Sequence, residues 1–231
     1  MRIVKLFFVA LLISSIVEVQ AQVQENAKSQ VWNFDTLDGW VYAHQDDNPN
    51  MQCEIEDGVL KIFTTANSRD RKKMRTADKI YTTGRYTWRT YIPQMGKGDQ
   101  ASVGSWIYCD DKHEIDFEVG YGQQHVREKL GAEDDDLIVY STTQANPYNT
   151  QITTIKSGWH IFEIDLTLVD GAYLVTWIID GEQVSSIQQT YGDEYKFYIF
   201  CSVENLKFLG DHIASQDNYG LFDFVKYEYH E

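Results

Sequence analysis

Short segments in which apolar and polar residues alternate recur along the chain: Val59 to Thr64, Arg85 to Ile92, Ser102 to Cys109, Leu137 to Thr142, Ile161 to Leu168, Leu174 to Ile179, Tyr195 to Cys201 and Phe222 to Tyr229. Successive side chains of a strand point to opposite faces, so each run predicts a strand with one buried and one open side. No stretch keeps a helical period, and Gly, Asp and Asn turns separate the runs, a pattern that predicts an all-β sandwich. Asp170-Gly171 and Asp180-Gly181 supply the positive-φ residues that tight hairpins demand, which makes Trp159 to Ile187 a three-stranded meander. Helix is expected only as a turn or two within a loop.

One alternating segment carries chemistry. In Glu114-Ile115-Asp116-Phe117-Glu118 the three carboxylates share one face of a strand, while Ile115, Phe117 and Val119 point into the core. Folding alone gives no reason to align three like charges. Their repulsion raises at least one carboxyl pKa and keeps a proton available near neutral pH. A glycosidase needs that combination: one acid to protonate a departing sugar oxygen and one carboxylate to attack the sugar carbon. The outer glutamates are roughly 13 Å apart along the backbone at ~3.3 Å per residue, so their long side chains must converge to reach the ~5–5.5 Å of a retaining enzyme. Asp116 is shorter and suits a supporting role beside Glu114. A solvated outer strand or a three-oxygen cation site is the competing reading.

The chain resembles glycoside hydrolase family 16, whose members carry Glu-x-Asp-x-Glu, or a form with one more residue, on a central strand of a curved sandwich. Flanking segments agree in order: Thr83-Gly84-Arg85-Tyr86-Thr87-Trp88-Arg89, Gly104-Ser105-Trp106-Ile107, Gly158-Trp159-His160-Ile161-Phe162, Trp177-Ile178-Ile179-Asp180-Gly181 and Phe222-Asp223-Phe224-Val225-Lys226-Tyr227. The resemblance runs from about Val31 to Glu231; the acidic motif is fairly specific and the others individually weak. It implies a curved, two-sheet antiparallel β-sandwich of the jelly-roll, concanavalin A-like kind. It also implies a retaining glycoside hydrolase acting on a β-linked polysaccharide, with internal cleavage expected if the sheet is open. Glu114 resembles the nucleophile, Asp116 its supporting carboxylate and Glu118 the acid/base. No cofactor is implied for catalysis; a structural calcium is, held by the carbonyl in Asp57-Gly58 and the side chain of Asp223.

The resemblance implies that Trp106 lies on the strand beside the acids, which makes it the first candidate for a sugar platform, with Tyr108 on the same face, because aromatic rings cover the C–H faces of sugars. Arg75 and Arg89 are further candidates for the cleft. For Trp32, Trp40 and Trp177 core packing is the expectation, and strand alternation sends His113 to the face opposite the acids. The sequence departs from the family at Lys112-His113, directly before Glu114, and at Tyr198 to Val203, which lacks the Asn and Trp that many glucan-cleaving relatives use to grip substrate. The reaction class is therefore more legible than the polysaccharide.

At 231 residues and 43% hydrophobic content the chain suits one large core. Residues 1–21 read as a secretory signal peptide: Arg2 and Lys5 precede the apolar run Leu6 to Ile13, and Ala21 closes a cleavage site. The run is too short to span a bilayer. The expectation is a soluble monomer, periplasmic or extracellular, with residues 22–231 as a single catalytic sandwich domain. Removing residues 1–21 leaves 18 basic against 34 acidic residues. Such a surface repels nucleic acid and anionic membranes and disfavours a strongly anionic substrate, although a cleft can differ from the total. Glu133-Asp134-Asp135-Asp136 reads as a solvated loop or a calcium site. Cys53, Cys109 and Cys201 permit at most one internal disulfide, in any of three pairings, or three thiols. Two other functions use comparable sandwiches: a lectin that binds sugar without turnover, and a lyase, whose uronate substrate three carboxylates would oppose.

Overall fold

The computed structural model describes residues 29–230; the signal-peptide reading of residues 1–21 lies outside them. Two antiparallel sheets stack into a sandwich that does not close into a barrel. In order across the first sheet run β10 (Asn149–Ile155), β9 (Leu137–Thr143), β8 (His113–Gly120), β7 (Ala101–Asp110), β14 (Tyr198–Asn205), β5 (Arg71–Thr76) and β2 (Trp40–His44). The second runs β13 (Glu182–Gln188), β12 (Ala172–Ile179), β11 (Gly158–Val169), β6 (Gly84–Ile92), β15 (Asn218–Tyr229), β4 (Val59–Thr64) and β3 (Cys53–Glu56), with β1 (Ser29–Trp32) also paired to β15. One short helix, α1 (Gln124–Leu130), and a 3₁₀ turn at Lys207–Leu209 complete the described elements. Among the described residues no helix is long and apolar enough to cross a membrane.

The expected meander is present as β11, β12 and β13. Its two turns have positive φ at both central residues, 52° and 81° at Asp170-Gly171 and 51° and 84° at Asp180-Gly181, which matches the twist of the strands they join. The core lies between the sheets. From one side come Ile115, Phe117 and Val119 of β8 with Ile107 of β7; from the other come Trp88 of β6, Phe162 and Ile164 of β11 and Trp177 of β12. Full burial of Ile115 and Phe117 contributes roughly 1.5–3 kcal/mol each, offsetting what it costs to hold three acids on the reverse face. The core tryptophans also reach across the sandwich. Trp177 donates its indole N–H to the carbonyl of Asp116 at 3.1 Å, and Trp88 donates to the carbonyl of Phe200 at 3.0 Å. Both hold the first sheet's backbone without using its outer face. A one-residue slip of β8 would bury all three acids and expose the apolar set.

Strand β5 is not among the alternating runs picked out by sequence. Its inward positions are Lys72, Met74 and Thr76, all buried. Lys72 is accommodated there because its ammonium meets Asp46 at 3.0 Å and the Asn48 carbonyl at 2.6 Å, the pairing a buried charge requires. All three cysteines are free.

Candidate active site

The outer face of the first sheet forms the floor of a cleft of about 760 Å³. Strand β8 lies near the centre of that sheet, and Glu114, Asp116 and Glu118 all line the cleft, as their spacing predicts. Asp116 and Glu118 are buried and Glu114 is half-buried. Gln144, just past the end of β9, bridges two of them: its amide donates to Asp116 Oδ2 at 3.0 Å and to Glu114 Oε1 at 3.4 Å. Ser102 donates to Glu118 from β7.

Glu118 can lie over β7 because the residue opposite it in register is Gly104. A Cβ there would stand 3.0 and 3.1 Å from the two Glu118 carboxyl oxygens and would collide with Ser202 Oγ. A fourth acid shapes the site. Glu204 of β14 is buried, accepts from Arg71 Nε at 2.6 Å and lies 3.0 Å from Lys73 Nζ.

The electrostatics follow from this burial. Desolvation, then the negative charge of Glu204, pushes the Glu114 carboxyl up from 4.5 to about 7. Asp116 is held well above its ordinary range by burial and then by Glu114; Glu118 is raised likewise by burial, then Glu204, then Asp116. The site thus retains protons at neutral pH, and its most ionisable member is Glu114. These three groups form a coupled set, so the protons leave in steps that belong to the set.

The flanking candidates divide. Trp106 lines the cleft beside Asp116, but its ring is stacked on Phe200 at 3.9 Å and 12°, its N–H donates to Ser202 Oγ at 2.9 Å, and only 7% of it is exposed. It is a wall built with Phe200 rather than an open platform. Tyr108 also lines the cleft, donating to Asp111 at 2.8 Å. Arg75 lines it from β5. The expectation for Arg89 is corrected: β6 belongs to the other sheet, and the alternation that buries Trp88 turns Arg89 outward, where it pairs with Asp223 at 2.6 Å and lies 4.4 Å over Trp159. His113 stays off the acids' face, stacked on Tyr195 at 3.8 Å.

Gly58 occupies the β3–β4 turn with φ 76°. Asp223, the expected calcium carboxylate, is already charge-balanced by Arg89, so the calcium reading gains no support. In the acidic loop, Lys156 Nζ lies 3.0, 2.7 and 2.9 Å from Glu133, Asp135 and Asp136. A lysine thus sits where a cation would. Among the described residues these three form the only group of three carboxylates with oxygens within 4.8 Å of one another; the β8 acids are more widely spread, which disfavours a metal-site reading of them. Sequence reasoning missed Glu204, Gln144, Phe200 and the cleft-facing Arg71 and Lys73.

No family model matches the sequence, and no curated protein matches it. Solved structures do share its fold. A Bacillus licheniformis β-glucanase superposes with a TM-score of 0.62 at 16% identity, covering 88% of this chain and 99% of its own. The Crh5 transglycosylase, solved with NAG, gives 0.64 at 14% identity over 89% of this chain and 85% of its own. A Bacteroides ovatus mixed-linkage-glucan GH16 protein solved with product gives 0.56 at 15% over 86% and 98%. The backbone of this chain is therefore the jelly-roll sandwich found in glycoside hydrolase family 16.

Proposed function

We propose that this protein is a retaining glycoside hydrolase acting on a β-linked polysaccharide. The observation that carries the reading is the row of three protonatable carboxylates on one central strand, sunk in an aromatic-walled cleft and raised in pKa by burial and by one another. Glu114, the most readily ionised, attacks the anomeric carbon while Glu118, which keeps its proton, delivers it to the departing oxygen. The covalent glycosyl-enzyme is then cleaved by water that Glu118, now a base, deprotonates. Asp116 stays protonated and hydrogen-bonds Glu114, and Gln144 fixes both. The solved structures of like fold are consistent with this class, since their names include a β-glucanase, a transglycosylase and a mixed-linkage-glucan protein. Export of the protein, with residues 1–21 removed, belongs to the same proposal.

The test is reducing-sugar release from a panel of β-glucans and β-galactans, with the anomer of the first product followed by NMR. Release of the β-anomer from one of them supports the reading. Inversion at the anomeric carbon would remove the nucleophile role of Glu114, and binding across the panel without release would leave a lectin.

A further inference from the structure

Strand β5 places Arg71, Lys73 and Arg75 at alternate positions, and all three line the cleft. Three cations in one row stand out in a chain of net charge −15. Glu204 is the carboxylate that meets two of them. It engages Arg71 through Nε and lies 3.0 Å from Lys73, whose side chain is buried. Against these three cations Glu204 supplies one negative charge, which leaves a surplus of two. Arg75 has no carboxylate partner among the described residues; its guanidinium lies 4.3 Å over the Tyr198 ring and donates to the Thr76 carbonyl at 2.8 Å. Arg71 is 35% exposed, and its terminal nitrogens make no hydrogen bond among the described residues. Arg75 also donates to the Ala77 carbonyl at 3.4 Å, yet both arginines line the cleft and each keeps guanidinium nitrogens without a hydrogen-bond partner among the described residues.

Register fixes where they stand relative to the acids. Asp116 pairs with Trp106, Trp106 with Phe200 and Phe200 with Arg75, so Arg75 closes a row that begins at the acidic strand. Three strand spacings of ~4.8 Å put the two ends ~14 Å apart, beyond the ~8 Å screening length of physiological salt. A negative group beside Glu114 would be repelled and one at β5 attracted; Lys73 and Arg71 still act on the Glu114 carboxyl and lower its pKa, while Arg75 stands at the far end of the row.

We propose that the β5 side of the cleft binds an anionic substituent of the glycan, a sulfate ester or a carboxylate, on a sugar remote from the cleaved bond. The planar guanidinium fork suits both anions, which it can grip through two parallel hydrogen bonds. The local field of this strand overrides the acidic total, reversing for this cleft the expectation that an anionic substrate is disfavoured. The word substrate here rests on the hydrolase reading; the binding does not.

The experiment uses the full chain carrying Glu114→Gln and measures affinity electrophoresis on β-glucan and β-galactan, each in neutral, carboxymethylated and sulfated form. On at least one backbone an anionic form should bind roughly tenfold more tightly than the neutral one, a gap that narrows as salt rises. The derivative that binds identifies the anion. Arg71→Ala with Arg75→Ala should bring the anionic form back to the affinity of the neutral one; circular dichroism checks the fold, and Arg75→Gln alone serves if the pair does not fold. Equal affinity for all three forms, or an advantage that survives the arginine substitutions, overturns the proposal. Charge-dependent binding by the Glu114→Gln chain, with a wild-type chain that turns nothing over, would keep this inference and remove the hydrolase, whereas wild-type turnover with no charge preference in binding would do the reverse.

Discussion

Glu114, Asp116 and Glu118 lie on a central strand beneath a cleft, whereas Glu133, Asp135 and Asp136 lie in the loop between α1 and β9, the first two in solvent and Asp136 mostly covered. Both are groups of three carboxylates close in sequence, yet their physics is opposite. In the loop, Lys156 meets all three acids; their hydrogen bonds raise its pKa, and the Asp136 carboxyl falls below its usual range, chiefly through the same contact. On β8 no cation touches any of the three, and burial raises every one of them. Solvent and a counter-ion make the first group ordinary. Their absence leaves the second group raised, and in the proposed reaction a proton that burial retains is given to the substrate.

The contrast is broken most severely by Glu118→Gln or Glu114→Gln. Each should lower turnover by ~10²–10⁴-fold or more, measured as reducing-sugar release. Stability should move the other way for Glu114. Its carboxyl is protonated in the folded and unfolded chain alike below pH 4.5, but between 4.5 and about 7 only the unfolded chain releases the proton, so wild-type stability falls as pH rises through that window. Glu114→Gln removes this penalty and should be more stable than wild type at pH 8, by on the order of 3 kcal/mol, and no more stable at pH 4. A melting difference independent of pH would contradict the burial argument.

Next in size is Glu204→Gln. Removing that charge lowers the Glu114 and Glu118 values, so the acidic limb of the kcat/KM profile, set by ionisation of Glu114, should move to lower pH. The same change leaves buried Lys73 without its carboxylate and should destabilise the fold by ~3 kcal/mol. An acidic limb that stays in place would exclude Glu204 from tuning the site. The smallest effect belongs to the loop: Asp135→Asn should leave turnover unchanged and the melting midpoint within a few degrees, since exposed pairs contribute little. Loss of activity in this variant would erase the distinction between the two groups.

Much of the site was legible because strand alternation is a local rule. The shared face of Glu114, Asp116 and Glu118, the inward set Ile115, Phe117 and Val119, and the hairpin turns at Asp170 and Asp180 follow from residues adjacent in sequence. Glu204 was hidden as a single acid closing an apolar run, and β5 was hidden because Arg-Lys-Lys resembles a solvated segment. Gly104 gave no signal, since its role depends on a carboxylate fourteen positions away.

From sequence alone came the two-sheet sandwich, the acidic strand and the direction its acids face, because period-two patterning and turn chemistry act over a few residues. Tertiary structure decided which strands neighbour one another: Arg71 meets Glu204 across 133 positions, Trp106 finds Phe200 to stack on, and Arg89 falls on the far sheet. Alternation fixes the two faces of a strand, but only the pairing of distant strands determines which charges share a cleft, and hence which protons and which anions it can hold.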